Sequence, residues 1–234
     1  MNNKKIIIAV AAALILGLFA SCGVKTEEPS AKEALKPLPA PSADESMFEV
    51  DKNINQKTID EWLGRDDVAY RDVRMLFDPA EYEAIGGEAD LTQTIEGFKV
   101  IPYPYIGTMQ SLPVANAYEG DKLFDVVWTQ DGHVESASPL YRESMMILEE
   151  IFPKDKAIFL MCGGGGYANM TKQLLLYLGW DEALLYNIGA NWEYTGEHAL
   201  ELVVYPEDVN GNNIYASWRA DYAYIDFERL NPVE

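Results

Sequence analysis

The chain has 234 residues, 18 Lys+Arg against 38 Asp+Glu, a formal charge of −20 and 48% hydrophobic residues. That length suits one domain with extensions, and that apolar content can build a core, which excludes wholesale disorder. So acidic a chain is a poor match for nucleic acid, and two cysteines with two histidines are too few for a disulfide framework or a Cys/His metal site.

Lys4 and Lys5 form a short basic region, and Ile6 to Ala20 is an unbroken run of 15 apolar or small residues. That run is short for a membrane span and right for the apolar core of an export signal. Small residues Ala20 and Ser21 precede Cys22. Phe19-Ala20-Ser21-Cys22 resembles the processing box of bacterial lipoproteins, which implies cleavage after residue 21 and a lipid on Cys22. The protein would then be exported and held to the membrane on its extracytoplasmic face. The plainer alternative is an ordinary secretory signal beside a chance cysteine. Loss of residues 1–21 removes two lysines, so the charge moves from −20 to −22. With Cys22 acylated, Cys162 is a lone thiol in an oxidising compartment and cannot pair within the chain.

Residues 22–47 carry Pro29, Pro37, Pro39 and Pro41 among Lys, Glu, Ser and Ala. Such sequence predicts an extended tether that does not pack, with the folded domain from residue 48 to about 200. Thr58-Ile59-Asp60-Glu61 has the form of a capping box, with Trp62 and Leu63 on the apolar face and Gly64 as the stop. Val68 to Val73 reads as a strand. Asp78-Pro79-Ala80-Glu81 opens a short helix that Gly86-Gly87 ends. Phe98 to Pro102 and Leu123 to Thr129 are strands, the second followed by Asp131-Gly132, a hairpin turn signal. Ser138-Pro139 is expected to start a helix running to Phe152, with Tyr141, Met145, Leu148 and Phe152 on one face. Ala157 to Met161 is wholly apolar, the pattern of a strand buried on both faces. Ala168 to Leu178 is a helix stopped by Gly179, and Leu184 to Ile188 is the next strand. Alternating strands and helices predict an α/β fold with a mainly parallel sheet. Beyond it, Leu202 to Val209 and Ile214 to Trp218 flank Asn210-Gly211, which predicts a β-hairpin extension over residues 201–234.

The chemistry concentrates at Cys162-Gly163-Gly164-Gly165-Gly166-Tyr167-Ala168. A buried strand delivers the cysteine, and its C-terminal end is where open α/β sheets bind ligands. Four glycines let the backbone curl so that successive N–H groups face inward. The helix that follows adds its positive end. These residues are expected to cradle the sulfur and depress the Cys162 pKa. Three other motifs fail on inspection. Gly163, Gly165 and Ala168 fit a G-x-G-x-x-A dinucleotide pattern, but the next strand ends in Asn187-Ile188 with no acidic residue for a ribose. A P-loop needs Lys after its last glycine, where Tyr167 stands. A cysteine phosphatase needs an arginine six residues after the cysteine, where Ala168 stands, so no phosphatase activity is expected.

The segment resembles the active-site loop of the rhodanese-like sulfurtransferases: a cysteine closing a central strand, a six-residue loop from Cys162 to Tyr167, then a helix. The resemblance extends to Arg71-Asp72-Val73-Arg74, which is similar to the family's D-x-R segment, to Glu81-Tyr82, and to Gly189 and Trp192 after the last strand. It spans about residues 55–195, with residues 107–137 as an insertion. It implies a three-layer α/β/α fold and transfer of sulfane sulfur through a persulfide on Cys162, stabilised by the loop amides. Asp72 and Arg74 would support the loop. The implied partners are a small-molecule or protein persulfide donor and a thiol acceptor, with no cofactor and no metal. The loop carries no basic residue, unlike many members that use thiosulfate, which leaves neutral or protein-borne persulfides open. The other reading is a non-enzymatic member, a binding or scaffold module at the cell envelope. His133 and His198 read as plain surface or core residues.

Overall fold

The structure is a computed structural model that describes residues 35–74, 93–110, 120–201 and 225–234. The chain divides into two units, Met1–Lys36 and Pro37–Glu234, and the fold that follows belongs to the second. Strands β1 (Val68–Asp72), β2 (Gln93–Ile95), β3 (Lys99–Val100), β4 (Phe124–Trp128), β5 (Val134–Pro139), β6 (Ala157–Cys162), β7 (Leu185–Ala190) and β8 (Ala199–Glu201) accompany helices α1 (Ser144–Ile151) and α2 (Gly166–Tyr177). The expected helix from Asp78, the Glu81-Tyr82 match and the hairpin around Asn210-Gly211 lie outside the described residues, as do residues 1–34 with Cys22.

A parallel four-stranded sheet in the order β3-β1-β6-β7 forms the centre, which makes the fold α/β. Strands β1, β6 and β7 bury apolar residues on both faces, and the pleat sends alternate residues to opposite sides. Ile158, Leu160 and Cys162 of β6 face one cluster with α2 residues Leu174 and Leu175 and α1 residues Leu148 and Ile151. Ala157, Phe159 and Met161 face the other, with Ile59, Trp62, Tyr70 and Tyr186. From β1 the chain passes to β3 on one side, whereas β6 and β7 build on the other. The β1/β6 junction is therefore the switch point where open α/β sheets form ligand crevices. Asp72 stands beside Met161 in the register, so both strands deliver their last residues to one place.

The Asp131-Gly132 turn links β4 and β5, an antiparallel pair, and Gly132 takes the positive φ of +83° that this turn needs. Leu123, Phe124 and Val126 enter the main core, so this part of residues 107–137 is integral to the domain. Residues Ile225, Phe227 and Leu230 pack against the same core, and the Arg142 N–H bonds the Asn231 carbonyl at 2.8 Å.

Three expectations need correction. Ser138 and Pro139 end a strand, paired with Asp125 and Phe124, and the helix begins only at Ser144. Tyr141 belongs to the turn before it, where Ser144 Oγ accepts the Tyr141 N–H at 3.1 Å and donates to the Leu123 carbonyl at 2.7 Å. The capping box at Thr58 does not form: Ile59–Trp62 is a single 3-10 turn without a side-chain cap. Thr58 Oγ1 instead donates to the Asn53 carbonyl at 2.9 Å and accepts the Asn55 N–H at 3.0 Å. This local bonding competes with the cap. Finally, the tether does not stay free to residue 47. From Pro37 the chain belongs to the compact unit, Leu38 packs on the second core cluster, and Tyr186 Oη donates to the Pro39 carbonyl at 2.8 Å. A proline-rich stretch is already extended, so laying it along a sheet costs little further entropy.

Candidate functional site

Cys162 closes β6 and is fully buried. The chain then turns through Gly163 and Gly164 to Gly165, which holds φ +92°, a conformation that an L side chain resists. This left-handed residue aims its N–H back at the cysteine, 3.0 Å from Sγ. The N–H groups of Ala168 and Tyr167, in the first turn of α2, act on the same sulfur. Of the residues expected to cradle the sulfur, Gly165 hydrogen-bonds it directly and the Ala168 and Tyr167 amides act on it from the start of α2 at Gly166.

The electrostatic outcome corrects the sequence-based expectation. Burial pushes the Cys162 thiol above its ordinary pKa; the Ala168, Gly165 and Tyr167 amides pull it down, and the charge of Asp72 pushes it up again. Desolvation outweighs the amides because no water reaches the sulfur. Burial therefore favours the neutral thiol over the thiolate.

Asp72 and Arg74 sit at the other side of the switch point as a buried ion pair at 2.5 Å, with 0% and 1% of their side chains exposed. Thr94 Oγ1 donates to Asp72 Oδ2 at 2.7 Å, and Arg74 donates to the Gln93 carbonyl at 2.6 Å. The pair thus fastens the end of β1 to β2, and Asp72 reaches the sulfur only through its field. Arg71 points elsewhere, its Nε donating to the Ile151 carbonyl at 2.6 Å. The two histidines lie exposed and away from the sulfur, His133 against Gln173 at 3.1 Å and His198 against Glu96 at 3.3 Å. Among the described residues no group of His, Cys, Asp and Glu could hold a metal ion. No family model, curated protein or solved structure matches the chain.

Three residues complete the site beyond the loop itself. Asn187 of β7, 1% exposed, donates through Nδ2 to the Gly165 carbonyl at 3.2 Å and to the Phe48 carbonyl at 2.6 Å. Its Oδ1 accepts the Gly189 N–H at 3.0 Å. One amide therefore holds the loop, the incoming N-terminal segment and the end of β7. Phe48 lies against the loop: a Cβ at Gly166 would come 3.2 Å from its ring, and one at Gly165 would come 3.5 Å from its Cβ. Trp192 covers the neighbouring step, since a Cβ at Gly164 would come 2.5 Å from its ring. The glycines thus serve close approach as well as curvature. None of these three was expected as a site residue from sequence; Trp192 entered only through the family resemblance.

Proposed function

We propose that this protein is an exported, lipid-anchored, rhodanese-like sulfurtransferase that works through a persulfide on Cys162. The observation that carries the reading is the left-handed Gly165, whose N–H is held 3.0 Å from the Cys162 sulfur at a strand end, with the Ala168 and Tyr167 amides also favouring the anion. Such a cradle favours an anion wherever the sulfur is deprotonated, whether thiolate or terminal persulfide. The Cys162 thiolate attacks the outer sulfur of a donor persulfide. The donor's S–S bond breaks, a new S–S bond forms on Cys162, and the donor leaves as a thiolate. An acceptor thiolate then attacks the outer sulfur of the Cys162 persulfide, and the Cys162 thiolate returns. Sulfur moves twice with no net oxidation.

The switch-point position, the parallel order β3-β1-β6-β7 and the helix after the loop support the rhodanese-like assignment. The loop has no cation and is roofed by aromatic rings, which favours an uncharged or protein-borne persulfide over a small dianion. Asp72, buried near the sulfur, disfavours a dianion further. The chain would reach the membrane through Cys22: intact-mass analysis should find cleavage before Cys22 with a lipid attached, and Cys22→Ser should release the domain. The full burial and raised pKa of Cys162 favour one second reading, a binding module whose cysteine is inert. Treatment of the purified protein with a small alkyl persulfide, followed by mass spectrometry of the Cys162 peptide, separates the two. A sulfur adduct supports transfer, and an unmodified but accessible thiol supports the binding module.

A further inference from the structure

We propose that residues 44–50 form a strap that gates Cys162, with the Asn187 side-chain amide as its latch. The proposal concerns regulation of the site described above and rests on the sulfur-transfer reading only for what the uncovered thiol does.

The sulfur has no exposure, and its ceiling is the glycine loop. A run of glycines has no side chains with which to anchor itself. Its position is set from outside, by the Phe48 ring on Gly165 and Gly166 and by the amide that binds the Gly165 and Phe48 carbonyls together. Trp192 is 43% exposed and can turn aside by itself. The main chain of Phe48 cannot lift away without breaking the bond from Asn187 Nδ2 to its carbonyl, so the strap that carries the ring is the gate.

The strap is built to move as a unit. Its base is pinned: the Lys52 N–H bonds the Ser42 carbonyl at 2.7 Å, and the Asp51 N–H bonds the Asn187 carbonyl at 2.8 Å. Asp51 Oδ2 accepts the Ser42 N–H at 2.6 Å. Its tip is closed on itself, with the Asp44 N–H on the Val50 carbonyl at 2.7 Å and the Glu49 N–H on the Ser46 carbonyl at 3.1 Å. Phe48 is in neither core cluster, so its withdrawal leaves the core packed. Glu49, next to it, has φ +53° and is the one non-glycine residue with positive φ among the described residues. The closed strap therefore holds a strained backbone that opening relieves. Met47 at the tip is 82% exposed, a handle for whatever draws the strap away.

The test follows alkylation of Cys162 in the full chain by iodoacetamide, read at the Cys162 peptide by mass spectrometry across a urea series below the unfolding transition. Phe48→Ala should accelerate alkylation roughly tenfold, with a rate that stays flat against urea, the mark of local opening. Glu49→Asn should slow it, because asparagine tolerates the left-handed region better than glutamate. Met47→Ala should leave it unchanged. An unaltered rate in Phe48→Ala, or an acceleration that climbs with urea as global unfolding does, would overturn the gate. A parallel treatment with a small alkyl persulfide keeps the two ideas apart: faster alkylation without any persulfide leaves the gate standing and removes the sulfur-transfer reading.

Discussion

Asn187→Ala removes the amide that ties three segments together, and the cost can be worked from its partners. The Gly165 carbonyl also accepts the Asn169 N–H at 3.0 Å, so it keeps a partner. The Phe48 carbonyl is half-buried, and water can replace most of its bond. The Gly189 N–H is buried and loses its acceptor outright. An orphaned buried donor costs about 1–3 kcal/mol, and the lost bond to Phe48 with the small cavity adds roughly 1 kcal/mol. The expected destabilisation is therefore about 2–4 kcal/mol. For a domain of this size each kcal/mol lowers Tm by about 2–4 °C, so a drop of roughly 4–16 °C is expected. Urea unfolding should show a lower midpoint at unchanged slope, and Cys162 alkylation should accelerate as the latch is lost. A change below about 0.5 kcal/mol, the range of ordinary surface substitutions, with alkylation unaltered, would refute the role of this amide.

Three further outcomes follow from the geometry. Arg74→Leu leaves Asp72 buried without its cation, which should cost about 3–5 kcal/mol and slow Cys162 alkylation at pH 8, because the unbalanced charge raises the thiol pKa further. Gly164→Ala drives a methyl into the Trp192 ring; since that ring is partly exposed it should swing outward, shifting tryptophan emission to the red at a cost under about 1 kcal/mol. The pH dependence has a definite sign. Cys162 is raised by burial, so the fold prefers the neutral thiol; its contribution is complete below the unfolded value near ~8.5 and is lost as pH climbs toward the folded value. Tyr103 is raised by burial too, but its loss begins only near ~10. Cys162→Ser should therefore abolish the Cys162 part of the stability decline between about pH 8.5 and 10, measured by urea midpoints.

The parts of the fold that could be read from sequence are those fixed by local pattern. Strand β6 announces itself because every residue from Ala157 to Met161 is apolar, and α2 because a glycine loop precedes it and Gly179 ends it at φ +93°. The hairpin turn at Asp131-Gly132 was legible for the same reason. What was lost depended on partners distant in the chain. Ser138 and Pro139 look like a helix start until β4 pairs with them, and at a strand end the missing proline N–H does little harm. The segment after Pro37 reads as a tether because composition reports stiffness and polarity, never the surface a chain will lie on. The site divides in the same way. Cys162, the glycines and the helix after them mark the amide cradle directly, since the chemistry is contained in one run. Its burial comes from the core that α1 and α2 build around Cys162 and from Phe48, Asn187 and Trp192 closing on the glycine loop; these partners are distant in the chain, and burial reverses the expected direction of the thiol pKa. One cue was present: four consecutive glycines indicate that something approaches the backbone closely as readily as they indicate curvature.

The central claim is that Cys162 carries sulfur. Its most direct measurement is mass spectrometry of the full chain after exposure to a small alkyl persulfide, with Cys162→Ser beside it. The account predicts an added mass of about 32 Da on the Cys162 peptide, absent from Cys162→Ser and removed when an acceptor thiol is supplied. A Cys162 that iodoacetamide alkylates, yet that gains no sulfur from any persulfide donor even in Phe48→Ala, would contradict it.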